Sequence, residues 1–242
     1  MEFADEGVLL AAHAHGENHA VAEVFTARRG RWAGLVYGGQ GARKKPVLQA
    51  GNGLLVQWKG RVSDSLGHFD LELANPRAAQ FMHDRLSLAG LSALCATAAA
   101  ALPERESHPS VYDAMGVVLD HLDDHDLWPT LLARWEAGLL AACGFGLTLD
   151  RCAATGADAD LTYVSPKSAQ AVSAEAGEPY KDRLLPLPAF LHGGESLGTR
   201  AEALDGLKTT GHFIETRLLA PAHQPLPEAR RRLAEVLAQD AS

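Results

Sequence analysis

The sequence predicts an α+β protein: an N-terminal five-stranded barrel of the OB type over residues 1–77, then a mostly helical part over 78–242 with a small insertion at about 150–180. Three observations carry this. Residues 1 to about 75 break into short strand-like runs separated by turn residues. After Asn75-Pro76 the apolar period becomes that of helices. Residues 150–180 then lose both periods in a polar, Ala/Gly-rich stretch.

The strand candidates are residues 7–14, 19–26, 31–37, 54–62 and 68–73. Between them lie Gly16-Glu17-Asn18, Arg29-Gly30, Gly38-Gly39-Gln40-Gly41 and Gly51-Asn52-Gly53, which accept positive φ or tight turns. Five short strands in so few residues fit a small barrel such as an OB-fold. In the second part, Leu86 and Leu94 in Leu/Ala-rich surroundings predict a buried helix ending near Pro103. Val111, Met115, Val118 and Leu122 repeat at helical spacing behind Pro109, which a first turn tolerates. A third helix starts at Pro129, buries Leu132, Trp135 and Leu139, and stops around Gly144. The insertion holds one strand candidate, 161–164, and a Pro-punctuated crossing segment follows at 184–188. Helices resume at about 199–219 and 228–237, and no internal repeat or low-complexity tract is present.

A chain of 242 residues with 47% hydrophobic content can bury two modest cores. It has no run of 18 apolar residues, and its first six residues carry acid where a signal peptide needs base, so a cytoplasmic protein is expected. Cys95, Cys143 and Cys152 form no CxxC pair and read as reduced thiols. The formal charge of −8 argues against a nucleic-acid partner, since phosphates repel a net anion. Its distribution argues the other way. Between Glu23 and Asp64 there is no acid, while Arg28, Arg29, Arg31, Arg43, Lys44, Lys45, Lys59 and Arg61 give +8; residues 76–242 hold 14 basic and 22 acidic side chains.

Interleaved with those cations are Trp32, Tyr37 and Trp58. Cations track phosphates and aromatic faces stack unpaired bases, so these eleven residues form a candidate surface for single-stranded DNA. The alternative is a solvated barrel face whose aromatics lie in the core. Gly194-Glu195-Ser196-Leu197-Gly198 matches the G-x-S-x-G elbow of serine hydrolases, with His192-Gly193-Gly194 before it. That elbow needs a strand before it and a parallel sheet behind it. Here prolines break 184–188 and only 46 residues follow Ser196 to supply an acid and a histidine. His13, His15 and His19 could ligate a metal, but only Glu17 stands near to complete the set and a solvated hairpin edge competes; His121 and His125 lie one helical turn apart between Asp120 and Asp126, where acids at a helix C-terminus oppose the dipole and a frayed, hydrated helix end competes. Arg230, Arg231 and Arg232 read as a solvated helix face or as a receptor for an acidic tail. Gly39-Gln40-Gly41-Ala42-Arg43-Lys44 lacks the spacing of a phosphate loop, so no nucleotide cofactor is expected.

Several blocks together resemble the RecO family. They are Asp5-Glu6-Gly7, His15-Gly16-Glu17-Asn18, Glu23-Val24-Phe25-Thr26, Ala33-Gly34-Leu35-Val36-Tyr37-Gly38-Gly39 and Pro46-Val47-Leu48-Gln49-Ala50-Gly51-Asn52. Later come Leu102-Pro103-Glu104-Arg105-Glu106, Arg134-Trp135-Glu136 with Leu139-Leu140, Gly144-Phe145-Gly146-Leu147 and Arg151-Cys152. The resemblance spans nearly the whole chain in order. It implies an OB-fold followed by a helical domain, and a non-enzymatic recombination mediator at the bacterial nucleoid. Such a protein binds single- and double-stranded DNA, anneals complementary strands, contacts RecR and single-strand-binding protein, and so assists RecA. Many relatives carry two CxxC pairs that bind zinc in the insertion. Here Cys152-Ala153-Ala154-Thr155 keeps one sulfur and Val172-Ser173-Ala174-Glu175-Ala176-Gly177 has none, which implies a degenerate zinc-finger-like lobe without metal. The competing classes are a plain OB-fold nucleic-acid binder and, distantly, a serine hydrolase at Ser196.

Overall fold

Side chains that alternate between buried and exposed along the first five strands close them into one barrel. The computed structural model describes residues 1–61, 66–193 and 197–240. The strands are β1 (Glu2–His15), β2 (His19–Thr26), β3 (Gly30–Val36), β4 (Gly53–Lys59) and β5 (His68–Asn75), in barrel order β1-β2-β3-β5-β4. The long β1 is shared. Its first half pairs antiparallel with β4, from Glu2 opposite Lys59 to Val8 opposite Gly53, and its second half with β2, from Gly7 opposite Thr26 to His15 opposite His19. A register irregularity between Leu9 and Ala11 marks β1's pairing with β2. Closure comes from a short parallel join of Leu35 on β3 to His68 on β5. Phe3, Leu9, Val24, Trp32, Val36, Leu54, Val56, Trp58, Phe69 and Leu71 fill the interior.

β1 starts five residues before its predicted start because an inward acid there is fully satisfied. The Asp5 side chain is 1% exposed and accepts hydrogen bonds from the Glu6 and Arg28 N–H groups and from Arg28 Nε. These donors offset the desolvation that would otherwise exclude a carboxylate from a strand's inner face.

The helices α1 (Arg77–Gln80), α2 (Arg85–Ala101) and α3 (Pro109–Asp120) follow. Asp84 caps α2 by accepting from the Leu86 and Ser87 N–H groups. Leu91 of α2 seats against Gly51, where a Cβ would lie 2.3 Å from Leu91 Cδ1. The segment after α2 runs across the β2–β3 turn. Arg105 N–H donates to Arg31 O at 2.8 Å, and the Arg105 guanidinium lies 4.8 Å over the Trp32 ring. At Gly30, with φ +78°, a Cβ would lie 1.8 Å from Glu106 O, so glycine is required by conformation and by space. Tyr112 of α3 meets Phe25 edge-on at 5.4 Å. These contacts make Met1–Asp120 one compact unit, whereas the predicted boundary at residue 77 marks the switch from strand to helix.

The second unit, His121–Ser242, contains α4 (Trp128–Ala142), with Pro129 in its first turn. The insertion supplies β6 (Leu161–Val164), β7 (Ala171–Ser173) and a helical turn α5 (Ala174–Gly177), and the crossing segment after it supplies β8 (Leu185–Pro186), with sheet order β7-β6-β8. Cys152 Sγ accepts the Ser173 N–H at 3.3 Å and its hydroxyl at 3.4 Å. Thr199 and Glu202 form a capping box at the start of α6 (Arg200–Phe213), which runs on into a π-helical segment, Ile214–Leu219. The last helix is α7 (Glu228–Asp240).

Of the arginine triplet, Arg231 and Arg232 are exposed, as the solvated-face reading has them, and Arg230 departs from both readings. It is 2% exposed and forms a bidentate pair with the buried Glu136 of α4, Nε–Oε1 at 2.5 Å and Nη2–Oε2 at 2.9 Å. It also donates to Leu207 O of α6 at 2.7 Å, while the Thr210 hydroxyl donates to Glu136. Arg231 pairs with Glu228 at the surface.

Candidate nucleic-acid interface

The eleven candidate residues separate toward two ends of the β2–β3 hairpin. From Arg31 to Tyr37 is roughly 20 Å along an extended strand. At the turn end the arginines are engaged within the protein. Arg28 Nε lies 3.1 Å from Asp5, with its side chain 76% exposed. The Arg29 guanidinium sits 4.8 Å over the Phe3 ring. Arg31 pairs with Glu23 at 2.7 Å and Glu104 at 3.7 Å, and donates to Leu102 O at 2.9 Å.

Trp32 and Trp58 are not stacking platforms. Trp32 is 5% and Trp58 0% exposed, and the two rings meet edge-to-face at 4.8 Å with Phe3 beside both. Their indole N–H groups are satisfied by backbone carbonyls, that of Trp32 by Arg29 O and that of Trp58 by Ala33 O and Leu66 O. The cause is strand parity. Trp32 shares the inward face with Val36, and Trp58 with Leu54 and Val56.

The other end of the hairpin is open. Tyr37, immediately after β3, is 60% exposed and forms the wall shared by two grooves. One, of about 690 Å³, is bounded by Met1, Glu2, Lys59, Gly60, Arg61, Gly67 and His68. The other, of about 680 Å³, is bounded by Gly38, Gly41, Ala42, Arg43, Lys44, Val47 and Leu71–Leu73. The β1–β2 loop, tied to Gln40 through Gly16 O, and Gly60, Arg61 and Gly67 between β4 and β5 flank this mouth, the region through which OB-folds take oligonucleotides.

The loop between β3 and β4 is knit rather than free. Gln40 Nε2 donates to Gly16 O and His19 O, and Gln49 Nε2 to Lys45 O. Asn52 Nδ2 donates to Pro46 O and Val47 O, while its Oδ1 accepts from Ala78 N–H. The backbone that carries Arg43, Lys44 and Lys45 is therefore held in position before any strand arrives, and of the three side chains Lys44 is anchored, on Leu71 O.

The sequence stretch without acids is not acid-free in space. Strand β5 sets Asp70 3.6 Å from Lys44 Nζ, and β1 sets Glu2 3.8 Å from Lys59 Nζ. Glu72 lines the second groove. Arg43, Lys45 and Arg61 form no ion pair among the described residues. Two further groups, His19 and His68, join the site without any signal in composition. His19 Nδ1 accepts the Gly38 N–H at 3.3 Å, and both imidazoles touch the Tyr37 ring.

Of the other motifs, Gly194, Glu195 and Ser196 lie outside the described residues. His121 and His125 fall on turns after α3 rather than on one helix. Among the described residues no group of three or more His, Cys, Asp or Glu is placed to hold a metal, and no helix is long and apolar enough to cross a membrane.

A closed OB barrel with a cation-lined groove at its loop mouth, continued in the chain by a helical unit, defines an OB-fold nucleic-acid-binding protein. Residues 1–77 match the family model for the recombination protein O N terminal, and residues 82–225 that for the recombination protein O C terminal. The chain is 45% identical over 239 residues to the DNA repair protein RecO of Caulobacter vibrioides, covering 99% of this chain and 98% of that one. It is 47% identical over 237 residues to the DNA repair protein RecO of Rhodospirillum centenum, covering 97% and 94%. It is 46% identical over 241 residues to that of a Ruegeria species, covering 99% of both. The chain belongs to the RecO family of DNA-binding proteins of repair and recombination.

Proposed function

We propose that this chain is a recombination mediator that holds single-stranded DNA in the groove over Tyr37, anneals complementary strands, and with RecR helps RecA replace single-strand-binding protein. The observation that supports this most is the open groove at the barrel mouth, where an exposed ring stands between Lys59 and Arg61 at the end of β4 and the cations of the knit β3–β4 loop. Cations neutralise the phosphates and leave the bases turned outward, and pairing with a second strand then supplies the specificity. Duplex DNA engages the same cations through its phosphates alone. The protein acts on strands without a catalytic centre or nucleotide of its own, in the cytoplasm at the nucleoid.

The test is annealing of complementary oligonucleotides coated with single-strand-binding protein, followed by fluorescence transfer, with no nucleotide added. The full chain should accelerate annealing, and RecR should increase RecA loading on the same coated strand. Tight DNA binding with no acceleration would reduce the protein to a plain OB-fold binder.

A further inference from the structure

We infer that Tyr37, with His19 and His68, forms a seat for a single unpaired base, so that preference for single strands over phosphate backbone alone resides in this one aromatic cluster. The inference rests on the functional reading above and adds to it the chemical group recognised.

Three observations support it. Tyr37 is 60% exposed in a barrel whose other large rings, Trp32, Trp58, Phe3 and Phe69, are buried. Its ring is braced by two imidazoles: His19 meets it at 5.4 Å and 88°, and His68 at 5.7 Å and 52°. The brace is fixed by the backbone, because His19 Nδ1 accepts the Gly38 N–H at 3.3 Å and His68 pairs with both Leu35 and Lys59 across the strands. A tyrosine kept solely for packing would be covered. This one is held in orientation while more than half of it faces the grooves. A planar π-system stacks on such a ring, and every base has one. In a duplex the bases are already stacked on one another, so only an unpaired base can use the seat.

Geometry also limits the seat to one base. Among the described residues, the grooves on either side of Tyr37 hold no aromatic ring besides His68; Arg61 stands at one flank and Arg43 at the other without an ion pair, while Lys59 and Lys44 are paired with Glu2 and Asp70. A strand crossing Tyr37 therefore meets phosphate partners immediately before and after the seated base. Annealing proceeds by pairing at the unseated neighbours and release of that one base.

The experiment compares affinities of the full chain for an oligothymidine and for a tetrahydrofuran (abasic) strand of the same length. The wild-type chain should prefer the base-bearing strand by about 5- to 150-fold, the range for one stacked base. In Tyr37→Ala the ratio should fall toward one, and Tyr37→Phe should keep it. A strand with a single 2-aminopurine should be quenched on binding the wild-type chain and the Phe variant, a reading that needs no destabilising substitution. Binding of both strands with equal affinity by the wild-type chain, or an unchanged ratio in Tyr37→Ala, overturns the base seat and leaves the functional reading standing. Failure of the wild-type chain to bind either strand overturns both.

Discussion

Replacing Arg230 with alanine removes three charge-assisted hydrogen bonds at once: Nε to Glu136 Oε1 at 2.5 Å, Nη2 to Glu136 Oε2 at 2.9 Å and Nη2 to Leu207 O at 2.7 Å. The Glu136 side chain, 0% exposed, is then left with only the Thr210 hydroxyl. A buried carboxylate stripped of its cation costs about 3–5 kcal/mol, mostly through desolvation no longer offset by its partner. For a unit of this size that is roughly 10–20 °C in melting temperature. Arg231→Ala, one residue away, breaks an exposed pair with Glu228 and should cost at most about 0.5 kcal/mol. A double replacement, Glu136→Leu with Arg230→Met, substitutes an apolar pair and should recover most of the loss. Calorimetry and urea unfolding of the full chain measure all four proteins. An Arg230→Ala melt within about 1 kcal/mol of wild type would refute the clip between α4, α6 and α7.

Lys44 is already committed to Asp70 and Leu71 O, so replacing Arg43, Lys44 and Lys45 together with alanine should make the log affinity against log salt slope for a single strand shallower by about 1.4, two contacts at about 0.7 each. A slope that does not move would detach this loop from the DNA. Residues 1–120 expressed alone should fold cooperatively, whereas 1–77 should aggregate, because it uncovers the buried Phe25 and strips Trp32 of Arg105; a soluble 1–77 with a sharp melt would show that the barrel does not need α2 and α3. For Cys152, burial raises the thiol pKa, but the Ser173 and Thr155 hydroxyls and the Ser173 and Ala154 N–H groups lower it and prevail, to about 6 from 9.0. A folded pKa below the unfolded one means stabilisation that is full above pH 9 and lost as pH falls through 6, so the melting gap between the chain and Cys152→Ser should widen from pH 6 to pH 9. A gap that is constant over that range would mean the sulfur stays protonated.

The architecture was legible because period and punctuation agree along the chain: alternation gave the strands, Pro109 and Pro129 marked helix starts, and residues 161–164 stood out inside the insertion. Parity could have gone further. Trp32 lies four residues before Val36 and Trp58 four after Leu54, so all share the inner face, while Tyr37 has the opposite parity; that alone separates two core rings from the exposed one. Arg230 likewise falls on the stripe of Leu226, Leu233 and Leu237, and Glu136 on that of Leu132 and Leu140, so helical spacing alone puts both charges on apolar faces. What could not be read is what register decides. Asp70 neutralises Lys44 only because β5 lies beside β4, and His19 and His68 come to Tyr37 from strand ends 49 residues apart. The covering of the β2–β3 turn by Glu104–Glu106 is equally a tertiary event, which adds Glu104 to the pair that Arg31 already makes with Glu23 inside the hairpin.

The proposed function puts DNA at the Tyr37 end of the hairpin. Photocross-linking of a 5-iododeoxyuridine strand to the full chain, with adducts mapped by mass spectrometry, tests it most directly. Adducts are expected on Tyr37 and His68. Adducts confined to the Arg28–Arg31 turn, or to residues 121–240, would contradict it.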